Sequence, residues 1–236
     1  MEQVAAAWDY FWRVSVNISD GLGVTLGLFA LTLLFSIPLG LIISLGAISR
    51  FKPLAWFVKF YIWLLRGTPL LLQLLFVYFG LPLVFQLLFD YFNLPLQFNI
   101  DNFTAAVVAF VLNYAAYFAE IFRAGIQSID KGQFEAAKAL GLSSGQTMWR
   151  VIIPQAISRI LPPVGNESIT LVKDTSLVSI IALSDIMHQT RTIVMREASV
   201  AAFVVAAVFY LVMTFVLTKL FDYLEKRFSK SERFEN

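Results

Sequence analysis

Long apolar runs alternate with short polar breaks along most of this chain. A helix needs about 20 mostly apolar residues to cross a bilayer. Five stretches meet that need: residues 23–48, 69–89, 103–122, 161–187 and 198–221. The stretch 161–187 is the most polar, so it is expected inside the bundle, shielded by the other four. A short amphipathic stretch around residues 54–65 precedes the second span. Residues 1–20 stand apart. Trp8, Tyr10, Phe11 and Trp12 there suit a helix lying in the membrane interface, although a plain ordered tail fits the same pattern. The pattern predicts a single all-α membrane domain over residues 1–236, with no linker and no internal repeat.

The polar break at 124–159 is too long and too patterned for a simple connector. Asp130 can cap a helix whose Gln133 reaches back, and Gly141 ends it in the left-handed conformation. Ser143 and Gln146 repeat the capping pattern and open a second short helix, which Pro154 stops or redirects. Two short helices at an angle are expected.

Composition agrees with a lipid-embedded chain. Of the 236 residues, 58% are hydrophobic and 14% charged, against roughly 45–50% and 25% in soluble domains. The net charge of +2 does not suggest nucleic-acid binding. The chain lacks cysteine, which excludes disulfides, thiolate catalysis and cysteine-bound metals, and the single His188 cannot build a histidine cluster. Glu2 and Asp9 precede the first apolar run, unlike the basic start of a secretory leader.

Charge sets the expected orientation. With the N-terminus outside, 14 Lys and Arg residues fall on the inner side and only Arg13, Arg191 and Arg196 outside; Lys173 lies within a span. Positive charge accumulates on the cytoplasmic side, so the N-terminus is expected outside and the C-terminus in the cytoplasm.

Polar residues inside spans mark candidate chemistry, because a charge at a helix centre costs roughly 2.5–3.5 kcal/mol on insertion scales. Asn113, Tyr117 and Glu120 share one helix face; Glu120 can instead simply pair with Arg123. Glu167, Thr170 and Asp174 form a second stripe, with Asn166 and Lys173 beside it. Pro162, Pro163 and Gly165 can break that helix and free backbone groups. A Lys173–Asp174 ion pair, or a contact between subunits, is the alternative account of these charges, and Glu167 is the best single candidate for a substrate contact.

The residues of the cytoplasmic break carry a resemblance. Glu135-Ala136-Ala137, then Gly141, then Val151-Ile152-Ile153-Pro154 resembles the EAA motif of bacterial ABC-importer permeases. Arg66-Gly67-Thr68-Pro69, Ala119-Glu120-Ile121-Phe122-Arg123 and Lys173-Asp174-Thr175-Ser176 are similar to segments of the polar amino acid permeases, which carry histidine, glutamine, arginine or cystine. The likeness covers residues 21–221. It implies a type I importer fold, with residues 124–159 as a coupling loop and Glu135, Ala136, Ala137 and Gly141 docking an ATP-binding subunit.

The resemblance also implies partners: ATP-binding cassette subunits holding ATP and Mg, a second copy or a related permease, and an extracytoplasmic amino-acid-binding protein. The chain carries no cofactor of its own. It has no phosphate-cradling Gly-x-x-x-x-Gly-Lys-Ser/Thr loop and no nucleophile–base pair, so it is not expected to be an enzyme. Alternating access would then carry a polar amino acid across a bacterial inner membrane. Glu167, Asp174 and Lys173 offer both charge signs to a zwitterion, with an acidic excess that leans towards basic or large polar amino acids. An autonomous channel or an ion-coupled carrier is the rival reading, and a membrane enzyme a weaker third. The docking surface discriminates, since an autonomous carrier has no use for one.

Overall fold

A computed structural model describes residues 1–229; Lys230 and Arg233, two of the inner-side cations, lie outside the described residues. Helices α1 (Glu2–Ser19), α2 (Leu22–Ala47), α3 (Lys52–Gly67), α4 (Leu70–Tyr91) and α5 (Asn102–Gln127) form the first half. The loop helices α6 (Lys131–Ala139) and α7 (Ser144–Thr147) follow. Helices α8 (Ile153–Asp174), α9 (Ile186–Glu197) and α10 (Ala201–Ser229) complete the fold. Among the described residues, α2, α4, α5 and α10 are long and apolar enough to cross a membrane.

Helix α5 is the centre. Its buried side chains include Phe110, Tyr114, Phe118 and a run of alanines. Helix α2 packs on it and buries Thr25, Leu28, Thr32, Ser36, Gly40 and Ser44, a stripe three or four residues apart on one helix face. Small residues let membrane helices approach closely. At Gly40 a Cβ atom would lie 2.8 Å from the Phe118 Cβ and 3.0 Å from the Ala115 carbonyl oxygen. Helix α10 packs on α8 in the same way, with the Phe221 ring 2.9 Å from where a Gly165 Cβ would sit.

The segment predicted as a span over 161–187 is built differently. Helix α8 starts at Ile153, inside the predicted loop, and runs unbroken through Pro162 and Pro163 to Asp174. The prolines therefore remove two backbone donors without ending the helix. A 3₁₀ turn, Thr175–Ile181, continues it and stops at Ala182, whose φ is 56°. At 1.5 Å and about 2.0 Å per residue, helix and turn together reach roughly 47 Å. That exceeds a hydrocarbon core of about 30 Å. Arg159, Glu167, Lys173 and Asp174 make α8 too polar to stand among the long apolar helices.

Two loop details also differ from expectation. Asp130 caps α6 by accepting from the Gly132 N–H at 2.6 Å, but Gln133 does not reach back. Its side-chain oxygen instead accepts from Gln155 Nε2 at 3.1 Å. Pro154 does not stop a helix; it sits in the first turn of α8, where the missing N–H costs least, after a π-turn over Met148–Ile152.

The amphipathic stretch near residues 54–65 is helix α3. Helix α1 covers residues 2–19 and buries Val14 and Ile18 in a cluster with Ile186, Ile193 and Ala202.

Candidate functional site

The chain breaks between α3 and α4 at Gly67-Thr68-Pro69. Pro69 forces Thr68 to an extended conformation, with φ −118° and ψ 145°. The freed carbonyls are then held by side chains. Gln73 Nε2 donates to the Leu65 carbonyl at 2.8 Å, to the Thr68 carbonyl at 3.1 Å and to the Thr68 hydroxyl at 2.8 Å. Asn113, on α5, donates to the Leu65 carbonyl at 3.2 Å and to Gln73 Oε1 at 3.0 Å. A buried break is stable only when its polar groups find such partners.

This break forms one wall of a cavity of about 650 Å³. Helix α5 supplies Asn113, Tyr114 and Tyr117, and α8 supplies Glu167, Thr170 and Asp174. The two predicted stripes therefore meet. Asp174 accepts a hydrogen bond from the Tyr114 hydroxyl at 2.8 Å; no Lys173–Asp174 bridge forms among the described residues, and Lys173 is exposed. The Arg66 guanidinium stacks over the Tyr117 ring at 5.3 Å. Glu167 is half-buried at the cavity wall and makes no side-chain hydrogen bond or ion pair among the described residues. The cavity thus holds one cation and two carboxylates around a polar floor.

Three predicted residues lie elsewhere. Asn166 is exposed and outside the cavity lining, as is Lys173. Glu120 is held by Arg123 through two hydrogen bonds, of 2.9 and 2.5 Å, and borders a separate hollow with Arg159 and Pro163. Sequence reasoning missed Arg66, Thr68, Gln73 and Tyr114. By position Arg66 falls among the inner-side cations, because it lies between the first two apolar spans and just before the Gly-Thr-Pro break. That same break was the available sign that its helix ends beside a cavity.

The loop presents a second, separate surface. Helix α6 ends in a double backbone closure: Gly141 N–H donates to Lys138 O and Leu142 N–H to Ala137 O, both at 3.0 Å. Gly141 has φ +76°, which glycine tolerates at little cost. Ser143 and Gln146 make both bonds of a capping box. Glu135 and Ala136 are exposed, whereas Ala137 is buried. Leu140 and Trp149 are exposed apolar side chains on the same loop, 81% and 73% accessible. Behind this surface, Ile129, Ile152 and Ala156 form a small core, and Arg159 donates to the Ser128 carbonyl.

A long membrane bundle, a polar cavity and an exposed two-helix loop on one chain invite comparison with known transporters. The profile of the binding-protein-dependent transport system inner membrane component family matches residues 36–230. The chain belongs to this family. The arginine transport system permease protein ArtQ of Bacillus subtilis (strain 168) is 40% identical over 221 residues, covering 91% of this chain and 94% of that one. The L-cystine transport system permease protein TcyB of the same organism is 36% identical, covering 96% and 93%. A crystal structure of an amino acid ABC transporter with histidines superposes with a TM-score of 0.79 at 39% identity, covering 91% of this chain and 95% of that one. An inward-facing MetNI methionine ABC transporter, 14% identical, shares the fold with a TM-score of 0.66.

Proposed function

We propose that this chain is the membrane-spanning permease subunit of an ATP-binding-cassette importer for polar amino acids. The observation that carries the reading is the cavity between the α3–α4 break, α5 and α8. It offers a cation, Arg66, and two carboxylates, Glu167 and Asp174, within a bundle that contains four long apolar helices. An amino acid presents an ammonium and a carboxylate, and the two signs match. Ion pairing of both groups in a cavity shielded from bulk water would favour such a ligand. Relatives at 40% and 36% identity are named for arginine and cystine transport, which supports an amino acid as cargo.

ATP and Mg belong to separate cassette subunits seated on α6 and α7 around Glu135, Ala136, Ala137 and Gly141. Closure of those subunits would pull the loop. Because α8 rises from the loop without interruption, the pull reaches Glu167 and Asp174. Two permeases, identical or related, complete the pathway. An extracytoplasmic binding protein delivers the amino acid on the side of the N-terminus, and the C-terminus is cytoplasmic.

The test is Glu167→Gln in the reconstituted complex, with ATP hydrolysis and uptake of several amino acids measured together. The reading expects retained hydrolysis with lost or altered selectivity. Uptake kinetics unchanged for every amino acid tried would remove Glu167 as a substrate contact.

A further inference from the structure

A second cavity, of about 480 Å³, opens where the α2–α3 turn meets the end of α5. Its polar lining consists of Ser49, Lys52, Lys59 and Gln127. Each of these has a donor to spare. Lys52 and Lys59 make no hydrogen bond or ion pair among the described residues. The Ser49 hydroxyl oxygen accepts from the Phe51 N–H at 3.2 Å, which leaves its own O–H to donate. The Gln127 carbonyl oxygen accepts from Arg123 at 2.5 Å, which leaves its NH₂ group. Four side chains therefore converge with donors and no committed acceptor.

Among the described residues no carboxylate lines this cavity. Residues 21–89 contain four cations and no Asp or Glu. The one carboxylate on the last turns of α5, Glu120, is already bound to Arg123. The occupant must bring the negative charge itself.

The rim says what kind of anion. Trp56 lines the cavity and is 70% exposed; Phe51 and Ile48 are exposed beside it. Trp56 continues into an aromatic row, stacked at 6.0 Å on Phe60, whose ring lies 5.8 Å from the tilted Trp63 ring. That is a charged pocket opening onto an apolar, aromatic strip along one helix. A ligand that fills both has a phosphate head and hydrocarbon tails. Basic pockets between membrane helices on the cytoplasmic side hold anionic lipid headgroups in this way.

We propose that this cavity binds the phosphodiester headgroup of one anionic phospholipid of the cytoplasmic leaflet, with its acyl chains along Trp56 and Phe60. Lys52 and Lys59 supply the charge, and Ser49 and Gln127 the directed hydrogen bonds. The cytoplasmic placement rests on the orientation proposed above; the binding itself does not depend on what the protein transports.

The experiment is native mass spectrometry of the chain, purified from its native membrane with whatever subunits it holds. The complex is titrated with phosphatidylglycerol, phosphatidylcholine or inorganic phosphate. The expected result is retention of phosphatidylglycerol, not phosphatidylcholine, reduced roughly tenfold or more by Lys52→Gln with Lys59→Gln and restored by Lys52→Arg with Lys59→Arg. Lys219→Gln with Lys226→Gln should leave retention unchanged. Size-exclusion profiles identify a variant that fails to assemble, and the arginine pair then carries the comparison. Equal retention of both lipids, or of phosphatidylglycerol in wild type and the glutamine pair, overturns the proposal. Saturation by inorganic phosphate alone, with the same lysine dependence, overturns the lipid assignment. A probe at Ser49→Cys that reacts only from the extracytoplasmic side overturns the leaflet while leaving amino acid transport to be judged separately.

Discussion

Single side chains carry distinct tasks in this bundle. Gly40 permits the closest approach of α2 and α5, since a Cβ there would meet backbone as well as the Phe118 side chain. Gly40→Leu is expected to destabilise the chain by about 1–3 kcal/mol through overpacking, read as a lower melting temperature and reduced yield in detergent. Gly40→Ala should be milder, and equal melting temperatures for all three would show that this contact is not tight. Tyr114 has a different role: its hydroxyl holds Asp174 at the cavity wall. Tyr114→Phe keeps the ring in the α5 core and removes one hydrogen bond to a charged group, a contact typically of about 1.5–3 kcal/mol. The expected outcome is altered amino acid affinity together with a loss of stability of about that size. Unchanged affinity would assign this bond to packing alone.

At the scale of elements, the loop proposed to dock the ATP-binding subunit is a closed unit rather than a flexible connector. Gln133 to Gln155, Ser128 to Arg159 and the Ile129–Ile152–Ala156 core join its two ends. If, as the family resemblance suggests, Glu135 meets a basic group of the ATP-binding subunit, Glu135→Lys should leave insertion intact yet abolish coupled ATP hydrolysis, because juxtaposed like charges at an interface cost several kcal/mol. Gly141→Val should do the same by forcing a β-branched residue to φ +76°. Full coupled activity in both variants would remove this loop as the docking surface.

Much of this loop was legible in the sequence. The Asp130 and Ser143 caps and the left-handed Gly141 follow from local chemistry, which needs no tertiary context. What could not be read were pairings set by distance in space. Gln133 abandons its local partner for Gln155, 22 residues on. Pro154 opens a helix because the π-turn before it absorbs the mismatch. The α8 prolines do not end their helix, which packs against α5 and α10. The cavity was half legible: both stripes were visible by period, but Arg66 and Tyr114 join it only through the fold.

For the whole molecule, burial is uneven. About 61% of the apolar window of α5 is covered, but only 17–22% of α2, α4 and α10. A chain with this much exposed apolar surface needs lipid and partner subunits around it. The topology predicts that a cysteine at Asn99 reacts only from outside and one at Ser143 only from the cytoplasm. Reaction of both from the same side would contradict an odd number of crossings between them.

The central claim is that transport through this bundle is driven by ATP hydrolysed on its loop. The most direct measurement is amino acid uptake by liposomes holding the purified complex, with ATP supplied inside or withheld. Expected are uptake only with ATP on the loop side, and loss of both uptake and stimulated hydrolysis with Glu135→Lys. Uptake by the chain alone, driven by an ion gradient and indifferent to ATP and to Glu135→Lys, would contradict it.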